Sequence, residues 1–505
     1  MNDVFLRKVL LVVAFMDILH VAFECAPIAK VGGLGDVLGA LPKFLNRRGV
    51  NSAVFMPRFG DAHVDPASLT LVHEGRLRYR GRVLHYRLWQ QAAHVLGFPV
   101  YLWEEPVHFE RPGIYQDPAT GRDFPDQGDR FFVFQQGLLT ILKAQVLKPD
   151  LLHLHDHHAA LIPVWLREDP AYQDWATLPL VLTVHNAEHQ GRYDWSIWKE
   201  IGVPVARPED LQHHGQLNAL KAGMLWADAV TTVSPGYARE LQERDDMAAG
   251  LREVFQRVAF KMRGILNGID PEVWNPATDP LLFAPYTAET LEGKQQNKQA
   301  LCRALGLDPT QPLVIFIGRL MREKGIDLLV RGLERFLPRH PDVSVVVLGT
   351  GLPEYHAALE TLKQRLENFD AVHRLVLRFE FNNTLAHQLY AAADILLMPS
   401  RVEPCGLNQL YAMTYGTVPV VHAVGGLRDT VMPWNPHTQT GTGFRFESFT
   451  PKAMLQALQQ ALLTYRQPKL WQQLQRNGMQ QDWSWDRSAQ EYIALYQSLI
   501  PVTSK

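Results

Sequence analysis

Cysteine is scarce in this chain. Only Cys25, Cys302 and Cys405 occur in 505 residues, with no C-x-x-C pair. That excludes a disulfide scaffold and argues against structural zinc; a reducing cytoplasm fits. An excess of either charge is also lacking. Lys and Arg total 50, Asp and Glu 52, for a net charge of -2. No global field is there to draw in nucleic acid or an anionic membrane surface. No apolar run reaches the roughly 18 residues of a membrane span, and no low-complexity segment appears. What is present is a globular composition, 47% apolar and 20% charged, long enough for two domains rather than one.

The first residues carry an apolar patch, Val9 to Phe15, behind Arg7 and Lys8, with a weak likeness to a signal h-region. The patch is short, Asp17 follows it, and no small-residue cleavage site comes before the first glycine loop. Met16 stands directly before a strand-like DILHVAF. Residues 1–15 read as a peripheral extension or, equally, as an ordinary first strand.

Short apolar runs then alternate with longer amphipathic ones. DILHVAF, NSAVFMP, DLLHLHD, LVLTVHN and AVTTVSP each end in polar or turn residues, as buried parallel strands do, with function at their C-terminal ends. This first α/β domain spans 16–275. Residues 276–310, rich in Pro, Thr, Glu, Lys and Gln, read as a surface connection plus one helix. A second series, LVIFIG, SVVVLG, RLVLRF, DILLMP and TVPVVH, defines a second α/β domain over 311–480. Residues 481–505 hold a terminal helix that docks back. Two doubly wound domains in tandem predict a deep cleft between their strand C-termini.

The loop KVGGLGDVLGALP, Lys30 to Pro42, follows the first strand and has four glycines in eight residues. It does not fit the dinucleotide fingerprint G-x-G-x-x-G. Position 38 is Leu38, the third glycine arrives late at Gly39, and the next strand closes on Pro57 and Arg58 rather than an acid. Gly32 and Gly33 let a ligand approach the backbone, and the next helix, with Leu34, Val37, Leu38, Leu41 and Phe44 on one face, aims its N–H groups there. Lys30 adds a point charge. Pro42 is expected to kink or break that helix. A tight strand–helix turn with a surface lysine is the plainer reading of the same text. An echo, VGGLRDTV, recurs at 424–431, either as a similar loop in the second domain or by chance.

In the second domain, IGRLMREKGIDLL places Arg319 and Lys324 just past a strand, where a fork and an ammonium can neutralise a diphosphate. Taken alone, Arg322, Glu323 and Lys324 alternate in sign as surface helices do. Further on, MPSRVEPCGLNQLYAMTYG puts Glu403, Pro404, Cys405 and Gly406 at the opening of a helix, favourable to anions and hydroxyl oxygens. Glu403 there is an acceptor for sugar hydroxyls or a plain helix-dipole carboxylate. Cys405 has no adjacent histidine and does not read as a nucleophile. In the first domain HLHDHHAAL gathers His153, His155, Asp156, His157 and His158, and TVHNAEHQG adds His185, Asn186 and His189. The spelling resembles a metal centre, yet no further carboxylate ligands accompany it. A sugar-binding rim at strand ends is the richer reading.

Taken together, KVGGLGDVLGALPK, HLHDHHAALIP, TVHNAEHQG, LNALKAGMLWADAVTTVSPGYARE, GILNGIDPEVWNPATD, IGRLMREKGIDLL and MPSRVEPCGLNQLYAMTYGTVPVVHAVGGLRDTV resemble the bacterial glycogen synthase and plant starch synthase family over nearly the whole chain from Met16. The resemblance implies a GT-B fold, with two Rossmann-like domains facing a deep cleft. It implies a retaining glucosyltransferase that needs no metal or other cofactor, with ADP-glucose as donor and an α-1,4-glucan as acceptor. By the same resemblance Lys30, Gly32 and Gly33 meet the donor's distal phosphate and glucose. Arg319 and Lys324 hold the diphosphate. Glu403, with the N–H groups of Cys405 and Gly406, binds glucose hydroxyls. His185 sits over the anomeric centre, Asn267 contacts the sugar, and Asp156 and His158 line the acceptor side. The chain departs from the family pattern at His157, where an aromatic is usual, at Phe109 and Phe381, where tyrosines are, and at Ala249-Gly250-Leu251-Arg252 in place of G-x-G-L-[DE].

Overall fold

The computed structural model describes residues 16–369 and 371–501; the expectation for residues 1–15 lies outside them. The chain divides into two units. One takes the chain up to Val233, Ala238–Asn267 and everything from Trp485 onward; the other takes Ser234–Tyr237 and Gly268–Ser484. The main change-over thus falls after Asn267, not after residue 275, and the expected connection 276–310 is counted wholly with the second unit.

The first unit is built on a nine-stranded sheet in the order Met262–Gly264, Ala229–Thr232, Leu180–Val184, Leu151–His155, Asp17–Val21, Asn51–Pro57, Val100–Glu104, Arg82–Gln91, Leu69–Tyr79. The first seven pair in parallel, and the last two add an antiparallel hairpin at the edge. The central strands are buried along their length, which explains their unbroken apolar text. Strand order reverses between Asp17–Val21 and Leu151–His155, so the crevice at their C-terminal ends is the expected ligand position.

The helix Gly33–Arg47 follows the first strand and runs through Pro42 without the break expected as one alternative. Pro42 has no N–H to give the Leu38 carbonyl four residues back. The buried Cys25 thiol supplies a substitute, with Sγ 3.3 Å from the Leu38 oxygen. Burial pushes that thiol's pKa up, which keeps its proton in place for the bond. The terminal helix Trp485–Leu499 packs on this helix within the first unit: Arg48 forks onto the Asp486 carboxylate, and the Tyr496 hydroxyl lies 2.8 Å from His153 Nδ1.

The second unit has six parallel strands in the order Leu375–Arg378, Ser344–Leu348, Leu313–Ile317, Ile395–Met398, Val418–His422, Phe444–Phe446. Its reversal lies between Leu313–Ile317 and Ile395–Met398. Helix Ile326–Phe336 buries Ile326, Leu328, Leu329, Leu333 and Phe336 against the sheet. Helix Glu292–Leu305, polar in text, is held by buried lysines: Lys298 pairs with Asp394 at 2.7 Å, and Lys294 Nζ donates to the Tyr390, Ala391 and Tyr415 carbonyls.

Candidate active site

In the second unit the two loops at the strand-order reversal meet. The first leaves Ile317 and carries Arg319 and Lys324; the second leaves Met398 and carries Ser400 and Glu403. Gly325 makes the meeting possible. Its φ is +71°, and a side chain there would run into the Pro399 carbonyl, 1.9 Å from where a Cβ would stand. The Arg401 N–H donates to the Glu323 carbonyl at 2.7 Å and ties the loops together. Lys324 Nζ then lies 2.8 and 2.7 Å from the two oxygens of Glu403, and the Ser400 hydroxyl donates to the same carboxylate at 2.9 Å. Glu403 is buried, whereas Arg319 is half exposed and only loosely drawn to Glu323, at 3.5 Å. Lys324 is thus neutralised locally, and Arg319 is an exposed cation of the same loop.

Glu403 does not open a helix directly. The helix begins at Asn408, and Gly406, at φ +74°, turns the chain before it. The echo at 424–431 has a structural job here. Helix Gly425–Thr430 starts on its glycine pair, Gly426 donates to the Glu403 carbonyl at 3.1 Å, and a Cβ at Gly425 would stand 2.1 Å from that carbonyl oxygen. These glycines let the chain press against Glu403-Pro404-Cys405.

The first glycine pair is different. Gly32 caps the helix Gly33–Arg47, neither glycine has left-handed φ, and a Cβ at either would meet nothing within 4 Å. The two loops therefore share text and a helix start, but only the second is packed shut. The N–H groups of Val31 and Gly32 donate to Glu24, at 2.6 and 2.9 Å, and the Tyr115 hydroxyl donates to the other oxygen of Glu24 at 2.8 Å. Lys30 Nζ pairs with Asp36 at 2.6 Å and stays partly exposed. Sequence reasoning missed Glu24, Asp36 and Tyr115. The last lies two residues past Arg111-Pro112-Gly113, while Phe109 is buried among Phe23 and Phe59.

The histidines separate into two groups. His153 and His155 lie on one strand, and their rings sit with that of His20. These three bring nitrogens within 4.8 Å of one another, a spacing open to a metal. Most of those nitrogens are already engaged. His155 bonds His20 through Nε2 (3.1 Å) and His185 through Nδ1 (2.9 Å); His153 bonds Tyr496 and Thr183. Burial lowers the pKa of His20 and His185 to about 3 and that of His155 well below the usual range. All are neutral at physiological pH.

Asp156 to His158 form a turn, not the start of a helix; the helix begins at Ile162. Asp156 has left-handed φ, +56°, and its carboxylate accepts the His185 N–H at 2.7 Å. Burial raises its pKa to about 7, opposed by backbone N–H bonds from His185 and Asn186 and aided by nearby Glu24. His158 is stacked between Phe23 and Tyr115, and His157 lies edge-on to Phe131. Their Nδ1 atoms, and Oδ1 of the buried Asn267, have no hydrogen-bond partner. The structure thus brings His185 and Asp156 together in the first unit, and Lys324, Glu403, Cys405 and Gly406 with Arg319 in the second.

Two Rossmann-like units, each with polar loops at its point of strand reversal, define a glycosyltransferase of the GT-B class. Residues 17–257 match the starch synthase catalytic domain, and residues 297–481 match the glycosyl transferases group 1. A glycogen synthase from Anaeromyxobacter sp. (strain Fw109-5) is 43% identical over 495 residues, covering 96% of this chain and 99% of that one. One from Streptococcus gordonii is 40% identical over 499 residues, covering 96% and 100%. The solved catalytic domain of starch synthase IV from Arabidopsis thaliana, bound to ADP and acarbose, superposes with a TM-score of 0.85 at 31% identity, covering 96% of this chain and 99% of that chain. The chain belongs to the glycogen synthase and starch synthase family of glycosyltransferases.

Proposed function

We propose that this enzyme transfers glucose from ADP-glucose to the 4-hydroxyl at the non-reducing end of an α-1,4-glucan, with retention of anomeric configuration. The observation that carries the reading is the Arg319, Lys324 and Glu403 constellation at the strand reversal of the second unit. Breaking the glucosyl–phosphate bond leaves negative charge on phosphate and oxocarbenium character on the sugar. Arg319 and Lys324 act on the first charge, which grows towards the transition state, so their effect falls on kcat. Glu403, aligned by Ser400 and Lys324, accepts hydrogen bonds from glucose hydroxyls, alongside the backbone at Cys405 and Gly406. Lys30 and the open backbone at Gly32 and Gly33 meet the distal phosphate and glucose; His185 and Asn267 contact the sugar; Asp156 and His158 serve the acceptor side. The acceptor hydroxyl arrives on the face the phosphate leaves, and a phosphate oxygen takes its proton.

ADP in the Arabidopsis starch synthase supports the adenine donor. The test is incorporation of labelled glucose into glycogen from ADP-glucose and from UDP-glucose in parallel. Preferential incorporation from ADP-glucose is expected. Incorporation from neither ends the proposal, and preference for UDP-glucose ends its donor assignment.

A further inference from the structure

His185 is the outer member of a chain of three imidazoles. Its Nε2 lies 2.9 Å from His155 Nδ1, and His155 Nε2 lies 3.1 Å from His20 Nδ1. The inner end is closed: His20 is fully buried, and its Nε2 has no partner. Three neutral rings carry one N–H each, and each of the two contacts uses one of these protons. Only two arrangements satisfy both. In one, His185 donates to His155, His155 donates to His20, and His20 is left with a buried Nε2–H that reaches no acceptor. In the other, His20 donates outward to His155 and His155 donates to His185. His20 then keeps only a bare lone pair, and the proton of His185 is on Nδ1.

A buried N–H without an acceptor is rarer than a buried acceptor without a donor. The second arrangement is therefore favoured. We infer that His155 and His20 are positioning residues that set the tautomer of His185, so that it presents an Nδ1–H donor rather than a lone pair. The relay extends what the sequence offers at TVHN by two residues on two other strands. His153 stands beside it but is not part of it, because its nitrogens go to Tyr496 and Thr183. This inference rests on the reading above only for its consequence: Nδ1–H can donate to any sugar oxygen, including a ring or glycosidic oxygen that has no proton, whereas a lone pair there could only accept from a hydroxyl.

The test has a spectroscopic arm and a kinetic arm. Nitrogen-15 spectra of histidine-labelled enzyme, with His185→Ala to assign the resonance, should show the proton of His185 on Nδ1. His155→Asn, whose amide N–H stands where Nδ1 was, should keep kcat within a few-fold. His155→Leu, with no donor, should lose about tenfold or more in kcat with KM for ADP-glucose little changed. A proton on Nε2 of His185 in the unmodified enzyme overturns the inference, as do equal losses in the Asn and Leu variants. Full kcat in His185→Ala, together with a proton on Nδ1 of His185 in the unmodified enzyme, would instead sink the sugar-contact reading and leave the tautomer standing.

Discussion

The ammonium of Lys324 is shared between both oxygens of the Glu403 carboxylate, at 2.8 and 2.7 Å. Each group therefore sets the state of the other before any donor arrives. Removing Lys324 takes away a charge proposed to act on the phosphate and also strands a buried carboxylate with only the Ser400 hydroxyl. Lys324→Ala is expected to lower kcat by about 10²–10³-fold and stability by about 1–3 kcal/mol, less than a fully buried pair would lose because Lys324 is partly exposed. Arg319→Ala should lower kcat similarly with little change in stability, since Arg319 is half exposed and its one ion pair is long. Steady-state kinetics and thermal melts of both variants check this. Near-normal kcat in both would remove the phosphate assignment.

Asp156 is a carboxylate held against its preference. Its folded pKa, about 7, exceeds the ordinary 3.8 because of burial. The folded state therefore binds this proton more tightly than the unfolded chain. Stability from this group is intact below pH ~4 and drains away as pH rises towards 7, by at most ~4 kcal/mol. Asp156→Asn keeps an acceptor for the His185 N–H and tolerates left-handed φ. The variant should match the parent near pH 4 and melt progressively higher than it up to pH 7–8, with the gap then constant. A gap that does not change with pH would show that Asp156 does not titrate in this range.

How much of this was legible in the chain follows from what each element buries. Ten strands could be read directly, because parallel strands buried on both faces leave unbroken apolar runs such as LVLTV and SVVVL. The hairpin Leu69–Tyr79 and Arg82–Gln91 was not, because its exposed edge mixes charges into the alternation. The one helix expected within 276–310 is Glu292–Leu305, but its burial was not legible, because Lys294 and Lys298 are held by acceptors far away in sequence. At the site, Arg319, Lys324, Glu403 and His185 stood out because each lies in the segment that follows a readable strand. Glu24, Tyr115 and His20 did not. Their significance lies in partners 7 to 135 positions away, and no local pattern records that. That the helix is not broken at Pro42 was hidden for the same reason, since the compensating donor, Cys25, is not on that helix.

Gly33 offers a separation of fold from function. A Cβ there meets nothing, and φ does not demand glycine. At the first position of a helix, alanine should be neutral or stabilising by up to about 1 kcal/mol. If the glycine is there for close approach of the donor, Gly33→Ala should keep or raise Tm while kcat/KM for ADP-glucose falls about tenfold or more. Gly425→Ala is the contrast: its side chain would strike the Glu403 carbonyl, so stability and activity should fall together. Full activity in Gly33→Ala would show that no ligand presses on that backbone.

Pro42 and Cys25 should be energetically coupled. With Pro42 present, the Leu38 carbonyl takes the Cys25 thiol as a substitute donor. Cys25→Ala then costs both packing and that bond. In a Pro42→Ala background the restored N–H serves the carbonyl, and Cys25→Ala costs packing alone. The cycle subtracts the packing, which is the same in both, and isolates the thiol bond. A coupling of about 1 kcal/mol is expected, measured by urea denaturation of the four proteins under reducing conditions. The sign is fixed as well: Cys25→Ala must be the milder change when alanine is at position 42. Additivity within about 0.3 kcal/mol would mean that the helix carries Pro42 without the thiol's help.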